Sequence, residues 1–330
     1  MDWNVRNLLT CAFAYILILL GFVKRAKKKA LSGDRMIVLY FHNPTRNEFK
    51  SCVKWLKKNG FVFLSMADLD EIRLQDLPLP KGGVLLTLDD GWQTNEANVI
   101  ELAEEYQVPI TIFVSSEPVE QGVYWWSYLD RAEELNLKLP LKASLKKVAN
   151  AERMEMLKSI REQVPLPREA MTIQQVSKVA NSKYVTIGGH THTHPILVNC
   201  TTSELFSELK TSKEKLETWT GKRVKYFAYP NGDYGKREIG VLSDLRYKMA
   251  FTCEPRFLTK ECLANNYALP RFGLVEGASM AENICRMVGL WKPLMLSLKR
   301  PSRRKPARKS AASPDGYSID KPEPEAVATI

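Results

Sequence analysis

The chain has 330 residues, 45% of them hydrophobic, and a formal net charge of +11. This length is sufficient to bury the core of one barrel-sized domain or of two small ones. Residues 24–35 carry a net charge of +5 and residues 299–309 carry +7, so the rest of the chain is close to neutral. A neutral body argues against a nucleic-acid-binding face, and we expect no nucleic-acid partner.

The first predicted element is an apolar helix over residues 8–23, interrupted only by Thr10 and followed by a basic cluster at residues 24–29. Such a helix is about 24 Å long, somewhat short of the ~30 Å hydrocarbon core of a bilayer. A cleaved signal peptide is the alternative, but its basic residues should precede the apolar run. We predict that residues 1–35 form a single-pass transmembrane anchor whose basic flank binds anionic lipid headgroups.

Two features of the sequence bear on the side of the membrane that the main domain occupies. Positive charge on the C-terminal side of an anchor favours a cytoplasmic domain. The six cysteines form no Cys-x-x-Cys pair and no regular spacing, which is typical of a reducing compartment. We therefore favour the cytoplasmic face of the membrane over the outside.

Apolar runs that alternate with amphipathic stretches follow the predicted anchor. The alternation consists of predicted strands at residues 36–41, 61–64, 84–88 and 110–114, with helices at residues 49–58 and 95–107. It predicts a parallel α/β barrel. Functional side chains of such a barrel lie at the carboxyl ends of its strands, and His42, Asp89 and Asp90 stand at the ends of apolar runs.

The second half of the chain continues this pattern after an insertion. Residues 127–181 are charged and predicted to be mostly helical. Further strands are predicted at residues 184–187 and 224–228, on either side of a helix at residues 203–218. Residues 276–300 are predicted to hold an amphipathic helix that packs on the core or lies on a membrane surface. Residues 301–330 are basic and rich in proline, and we predict that they are disordered.

Three of the four histidines lie within residues 190–194. His190 and His194 follow a predicted strand, in a loop bounded by two glycines and Pro195. Two imidazoles and one carboxylate, with a fourth position left for water, are the ligand set of a catalytic zinc-type site. The alternative is a solvated polar loop whose histidines bind nothing.

Two motifs carry a family resemblance. Thr-Leu-Asp-Asp-Gly at residues 87–91 and His-Thr-His-Thr-His at residues 190–194 resemble the first two motifs of NodB-homology polysaccharide deacetylases, carbohydrate esterase family four. Weaker similarity continues at residues 125–126, 227–232 and 269–272. The resemblance covers residues 36–275, which we predict to be one deacetylase domain. It implies an incomplete (β/α)7 barrel, similar to a TIM barrel.

The resemblance also implies a role for each residue of the site. Asp90, His190 and His194 would hold a divalent metal, with Zn²⁺ as the expected ion. Asp89 would be the base that accepts a proton from water, because the metal holds Asp90 ionised and leaves Asp89 free. A backbone N–H near Tyr229 would stabilise the oxyanion.

The sequence departs from the family pattern in one respect. Family members commonly carry a late Leu-x-His motif whose histidine protonates the leaving amine, and this chain has no histidine after His194. The segment Tyr-Phe-His at residues 40–42 resembles the one that supplies this acid in relatives with a rearranged motif order. We therefore predict His42 as the general acid, with a buried or capping histidine as the alternative.

Two further side chains have predicted supporting roles. Arg271 is predicted to pair with Asp89 and to hold it ionised, because no arginine precedes the proline of the segment at residues 227–232. His192 is one residue away from the ligand spacing and is predicted to lie beside the metal ligands rather than among them.

Together these features predict a membrane-anchored, metal-dependent hydrolase. It would remove N-acetyl groups from an amino-sugar glycan or a lipid-linked saccharide. An O-acetyl esterase acting on a polysaccharide is one alternative. A glycan-binding module that kept the metal but lost turnover is the other. Many members of the family that the chain resembles act outside the membrane. This favours the side opposite to the one that the charge distribution here indicates.

Overall fold

The structure is a computed structural model that describes residues 5–135, 142–291 and 295. Eight short strands form the centre of this part of the chain, and all their ladders are parallel. The strands are β1 (Ile37–Phe41), β2 (Val62–Phe63), β3 (Gly83–Leu88), β4 (Ile110–Val114), β5 (Val185–Gly189), β6 (Tyr226–Ala228), β7 (Met249–Phe251) and β8 (Phe272–Gly273).

Seven of the strands form one path in the order β7-β6-β5-β4-β3-β1-β8, and β2 pairs with the start of β3. Ile37 of β1 is in register with Val84 of β3. Within the described ranges no ladder joins β7 to β8, and a single bridge between Phe251 and Leu269 stands in its place. The sheet is an incomplete seven-stranded α/β barrel, which confirms the predicted fold.

Helices surround the strands and connect them. They are α1 (Val5–Leu19), α2 (Phe22–Ala30), α3 (Arg46–Lys58), α4 (Met66–Leu74), α5 (Glu101–Tyr106), α6 (Ser116–Gln121), α7 (Trp125–Glu134), α8 (Lys142–Leu145), α9 (Asn150–Gln163), α10 (Ile173–Ala180), α11 (Thr202–Thr220), α12 (Lys236–Asp244), α13 (Lys260–Ala264) and α14 (Met280–Met287). Four of them begin at a capping box, in which a hydroxyl and a side chain three residues later satisfy two free backbone N–H groups. The capping residues are Thr45, Ser65, Thr172 and Thr201.

Side chains of the strands alternate between two buried clusters. Ile37 and Leu39 of β1 pack with the surrounding helices. Val38 belongs to the second cluster, together with Phe113 of β4 and Phe251 of β7, whose rings are 5.7 Å apart. Because β1, β4 and β7 are not neighbours, only the concave side of a strongly curved sheet can bring these residues together.

The predicted N-terminal anchor is not one continuous helix. Gly21, with φ of +77°, separates α1 from α2, and the two helices meet at 74°. In the described part of the chain no single helix is long and apolar enough to span a membrane, although this bent pair passes by length and composition. The inner face of α1, with Ala14 and Leu17, packs against α14 and Trp291.

The structure describes the other predicted helical segments to different extents. The insertion predicted at residues 127–181 contains most of α7 and all of α8, α9 and α10. The range predicted to hold an amphipathic helix, residues 276–300, contains α14, which ends shortly before Gly289, a residue with φ of +70°. The tail predicted to be disordered, residues 301–330, lies outside the described residues.

Candidate active site

The carboxyl ends of three parallel strands bring the predicted site residues together. His42 follows β1, Asp89 and Asp90 follow β3, and His190 follows β5. The N–H of Asp89 donates to Phe41 O at 2.9 Å, so the β1–β3 ladder continues to the first aspartate. The ends of parallel strands meet at one edge, which is why residues about a hundred positions apart become neighbours.

Asp90, His190 and His194 point their polar atoms at a common centre. The Oδ1 of Asp90 lies 3.5 Å from His190 Nε2 and 3.4 Å from His194 Nε2. The two Nε2 atoms are 3.2 Å apart. These residues form a group that could hold a metal ion, with one ligand atom from each.

The protonation of the two imidazoles fits a metal. His190 Nδ1 lies 2.7 Å from the backbone carbonyl of Ala228, which can only accept, so this nitrogen donates and Nε2 carries the lone pair. Burial lowers the pKa of His194 to about 4 and favours its neutral form. A cation between these atoms would be held by both Nε2 atoms and by the carboxylate of Asp90. The donor set of two imidazoles and one carboxylate is that of a zinc-type site.

The backbone around the ligands is held in an unusual conformation. Asp90 has φ of +76°, Thr191 has φ of +69° and His194 has φ of +54°. Residues other than glycine rarely adopt this left-handed region, and such strain concentrates at functional sites. Trp92 helps to fix the first of them, since its Nε1 donates to Asp90 Oδ2 at 3.1 Å.

A buried clamp holds the histidine loop. Thr193 Oγ1 donates to Glu208 Oε1 of α11 at 2.7 Å and accepts from Arg153 Nη2 of α9 at 3.0 Å. The carbonyl of His194 accepts from Arg153 Nη1 at 3.3 Å and from Trp125 Nε1 at 3.1 Å. Arg153 and Glu208 are both buried. This clamp was not predicted from the sequence, although a glutamate among the apolar positions of α11 is a signal for Glu208.

His192 lies outside the group of ligand atoms. Its Nδ1 is 2.8 Å from Ser116 Oγ, and its backbone N–H donates to Glu208 Oε2 at 2.8 Å. His192 is part of the loop that carries His190 and His194, and its ring contacts Ser116 instead of the group of candidate ligand atoms.

Asp89 and Arg271 form a buried bidentate ion pair. Arg271 Nη1 donates to Asp89 Oδ1 at 2.7 Å, and Nη2 donates to Oδ2 at 2.8 Å. Arg271 also donates to Thr252 O and Thr87 Oγ1 and lies over the Tyr40 ring. Burial by itself would raise the pKa of Asp89, but the charge of Arg271 outweighs it, so this pKa lies below its usual value. The predicted partner of Asp89 is thus in contact with it.

His42 lines the mouth of the site together with a carboxylate that the sequence analysis missed. The side chain of His42 is 44% exposed, and its Nδ1 lies 3.9 Å from Glu276 Oε1. The same oxygen accepts from the backbone N–H of His42 at 2.8 Å and of Asn43 at 3.2 Å. Glu276 follows shortly after β8, and the rule that functional groups follow strand ends could have found it.

Tyr229 does not have the environment that its predicted role requires. Its N–H donates to Phe251 O at 3.0 Å as an extension of the β6–β7 ladder, so it is not free for an oxyanion. Its ring is fully buried, and its hydroxyl donates to Tyr267 O at 3.0 Å. Asn231, with φ of +61°, lines the site instead. The prediction failed for Tyr229 itself because strand pairing uses its N–H.

The site opens into a cavity of about 770 Å³. Its lining consists of Tyr40, His42, Asn43, Asp89, Asp90, Trp92, Trp125, Trp126, Lys146, His190, His194, Ile196, Asn231, Cys253 and Glu276. Trp126 lies 4.7 Å from the His194 ring and stacks on Tyr124 at 4.7 Å. An aromatic wall beside polar groups of this kind suits the apolar face of a sugar ring.

Two relatives are similar to this chain in sequence. The protein YxkH of Bacillus subtilis is 21% identical over 234 residues, which make up 71% of this chain and 66% of YxkH. The poly-β-1,6-N-acetyl-D-glucosamine N-deacetylase of Escherichia coli is 24% identical over 260 residues, covering 69% of this chain and 33% of that protein. The chain thus spans less than two thirds of either relative.

Solved structures show the same fold at low sequence identity. The deacetylase PplD of Streptococcus pyogenes, in complex with acetate, has a TM-score of 0.57 at 17% identity and covers 77% of this chain and 98% of its own. The deacetylase domain of BpsB from Bordetella bronchiseptica has a TM-score of 0.56 at 16% identity, with coverage of 75% and 98%.

A profile of the family described as "Polysaccharide deacetylase" matches residues 76–250, more than half of the chain. The match includes the aspartate motif and the histidine loop and confirms the resemblance drawn from them. The similarity of residues 40–42 to the rearranged branch stays a prediction, as do the boundaries of the domain at residues 36–275. The chain belongs to the polysaccharide deacetylase family.

Proposed function

We propose that this chain is a metal-dependent N-deacetylase that acts on an amino-sugar glycan or a lipid-linked saccharide. One observation carries the proposal. A group of three ligand atoms, from Asp90, His190 and His194, lies next to a second aspartate that Arg271 holds ionised. This combination of an electrophile and a base is suited to the hydrolysis of an amide.

A divalent cation at Asp90, His190 and His194, with Zn²⁺ as the expected ion, would polarise an acetamide carbonyl and make water more acidic. Asp89 accepts the proton of the attacking water. It is ionised because of Arg271, and Arg271 also fixes the direction of both carboxylate oxygens. The remaining lone pair on each oxygen is free to take the proton.

His42 supplies the proton that the leaving amine takes up. Water adds to the carbonyl carbon, the C–N bond breaks, acetate leaves, and the amine nitrogen of the sugar takes a proton. His42 lines the cavity and is accessible to the substrate. Glu276 lies beside the ring, with its Oε1 3.9 Å from His42 Nδ1. This arrangement supports His42 as the general acid over a purely structural role.

The class of substrate follows from the cavity and from the relatives. A tryptophan wall, Trp92, Trp125 and Trp126, suits stacking of a pyranose ring. The Escherichia coli relative is named for N-deacetylation of poly-β-1,6-N-acetyl-D-glucosamine. We extend the class, an N-acetylated amino sugar, to this chain, and either a glycan or a lipid could carry the sugar.

The experiment measures acetate release from N-acetylglucosamine oligomers and from a lipid-linked N-acetyl amino sugar. The protein is assayed as purified, after chelation and after addition of Zn²⁺, with Asp89→Asn as the control. We expect chelation to abolish release, Zn²⁺ to restore it, and the variant to bind metal without turnover. Stoichiometric bound metal with no release from either substrate would contradict the deacetylase and favour a glycan-binding module.

An O-acetylated polysaccharide assayed in parallel separates the esterase alternative. An ester needs less help at its leaving group than an amide, because an alkoxide leaves more readily than an amide anion. We therefore expect His42→Ala to impair acetamide hydrolysis more than ester hydrolysis. Faster turnover of the ester than of every acetamide would make the esterase the better description.

We also propose that residues 5–30 attach the chain to a membrane, with the main domain on the cytoplasmic face. An apolar helix followed by Lys24, Arg25 and three further lysines supports attachment to anionic lipid headgroups. The same distribution of charge supports the cytoplasmic orientation.

A further inference from the structure

The outer face of α1 is a continuous exposed apolar surface. Fifteen large hydrophobic side chains are exposed in the described residues, and eight of them belong to residues 5–22. The eight are Val5, Leu8, Leu9, Tyr15, Ile16, Leu19, Leu20 and Phe22. Isolated exposed hydrophobic residues are ordinary, whereas such a concentration marks a site of interaction with another molecule or a membrane.

The same helix is apolar on its inner face as well. Ala14 and Leu17 pack against α14, and the Phe13 ring meets Trp291 edge to face at 5.9 Å. A helix that is hydrophobic all round is buried on every side or lies in lipid. The inner face of α1 is covered by protein, so the outer face is the one that needs an apolar environment.

A basic pocket adjoins this face. A cavity of about 800 Å³ is lined by five cationic side chains, Lys24, Arg25, Lys27, Lys28 and Lys81. No acidic residue occurs between residues 5 and 33 to neutralise them. A pocket with this charge beside an apolar surface is complementary to phosphate groups at the boundary of an anionic bilayer.

We propose that α1 and α2 lie on the surface of an anionic membrane rather than cross it. The outer face of α1 enters the boundary between headgroups and acyl chains, and the basic pocket receives lipid phosphates. Crossing would require α1 to leave α14 and Trp291. A second copy of the chain is a poor occupant, because a two-fold contact through this face would bring two basic pockets towards each other.

The position of α1 also determines where the mouth of the site lies relative to the membrane. Asn7, in the first turn of α1, donates to Gly277 O at 3.4 Å, next to Glu276 at the mouth of the site. At the other end of the helix pair, Lys27 of α2 donates to Asn59. Asn59 precedes β2 and therefore lies at the amino ends of the strands. The α1 helix therefore runs down the flank of the barrel from the site end. A membrane against its outer face lies beside the mouth, within reach of an amino sugar carried on a lipid.

Vesicle flotation of the full chain tests the membrane surface without any activity measurement. The vesicles are phosphatidylcholine with and without phosphatidylglycerol. We expect binding to require the anionic lipid, and Lys24→Gln with Lys28→Gln to weaken it about fivefold per lysine. Leu9→Gln with Ile16→Gln and Leu19→Gln should abolish it. The matched controls are Lys158→Gln with Lys210→Gln, and Leu74→Gln with Leu135→Gln and Phe206→Gln, which should bind like the parent chain.

Labelling distinguishes a surface helix from a crossing one. An Arg6→Cys variant on vesicles should react with a membrane-impermeant thiol reagent added on the side of the domain, above the background of the parent chain. Protection of this thiol until the vesicles are lysed would show that α1 crosses and would overturn the proposal. A dimer in solution that the triple leucine and isoleucine variant dissociates would assign the face to a second copy instead.

The orientation rests on the proposed function, and activity tests it separately. Release of acetate from a lipid-linked amino sugar in vesicles should fall at least tenfold in the triple variant, while release from soluble oligomers stays as in the parent chain. Equal activity on the vesicle substrate would contradict the placement of the mouth beside the membrane. The triple variant could lose vesicle binding while the parent chain shows no activity on either substrate. This result would count against the deacetylase and would still support the membrane surface.

Discussion

Replacement of Arg271 by methionine tests the ion pair at the centre of the site. The guanidinium is fully buried and makes two charged hydrogen bonds to Asp89, which is itself 2% exposed. Removing one partner of a buried pair leaves an uncompensated charge and costs about 3–5 kcal/mol. Without Arg271, burial raises the pKa of Asp89, so this base takes up a proton more readily.

The sign of the pH dependence follows from this shift. In the parent chain the pKa of Asp89 is lowered on folding, so the pair contributes stability that is lost as the pH falls through the folded pKa. In Arg271→Met the folded pKa is raised, and the folded variant takes up the proton more readily than the unfolded chain. We expect the loss in free energy of unfolding to be largest at neutral pH and to narrow towards about pH 5.

Urea denaturation of both proteins at several pH values measures this difference. Arg271→Lys is a control that keeps the charge and loses the bidentate geometry, and Arg271→Met with Asp89→Asn removes the orphaned charge. The double variant should regain much of the stability that the single variant loses. A loss below about 1 kcal/mol in Arg271→Met, constant across pH, would refute the argument that this pair fixes the charge of Asp89.

Three further predictions concern single side chains of the site. Arg153→Met should lower Zn²⁺ affinity roughly 10–100-fold in a chelator competition, because the clamp on the histidine loop is lost, whereas Lys158→Met on the same helix should not. His42→Ala should lower the rate about 10²–10⁴-fold with metal retained, and Glu276→Gln should reduce the rate less. An unchanged rate in His42→Ala would show that His42 is not the general acid. Tyr229→Phe should cost roughly 1 kcal/mol of stability in denaturation and leave the rate unaltered, and a large rate loss would show that the hydroxyl of Tyr229 acts in the site.

The sequence was sufficient for the parts of the site that depend on local pattern. Asp89 and Asp90 end an apolar run, and His190 follows another, so the rule for strand ends predicts that the three side chains lie close together. Arg271 was found because the Asp89 charge requires a partner and the resemblance offered a nearby arginine. The inference for the aspartates and His190 needs only the period of the pattern and the chemistry of the side chains, whereas the one for Arg271 also needs the resemblance.

The failures depend on contacts that no local pattern records. Arg153 comes from a helix with weak amphipathic character and reaches a loop 40 residues away. The N–H of Tyr229 is used by a ladder whose register is set by β7. The apolar run at residues 8–23 gave no sign that Gly21 would turn the backbone, because composition alone does not distinguish a straight helix from a bent pair.

The order in which the pieces of the site are synthesised follows from the fold. Asp90, His190 and His194 have all been made when less than two thirds of the chain exists, whereas Arg271 arrives 182 residues after Asp89. The first helix of the chain also packs against the last helix that the structure describes. A nascent chain can therefore possess all three candidate metal ligands before Asp89 has a counter-charge. The counter-charge of Asp89 arrives with β8, which directly follows Arg271 and pairs with β1.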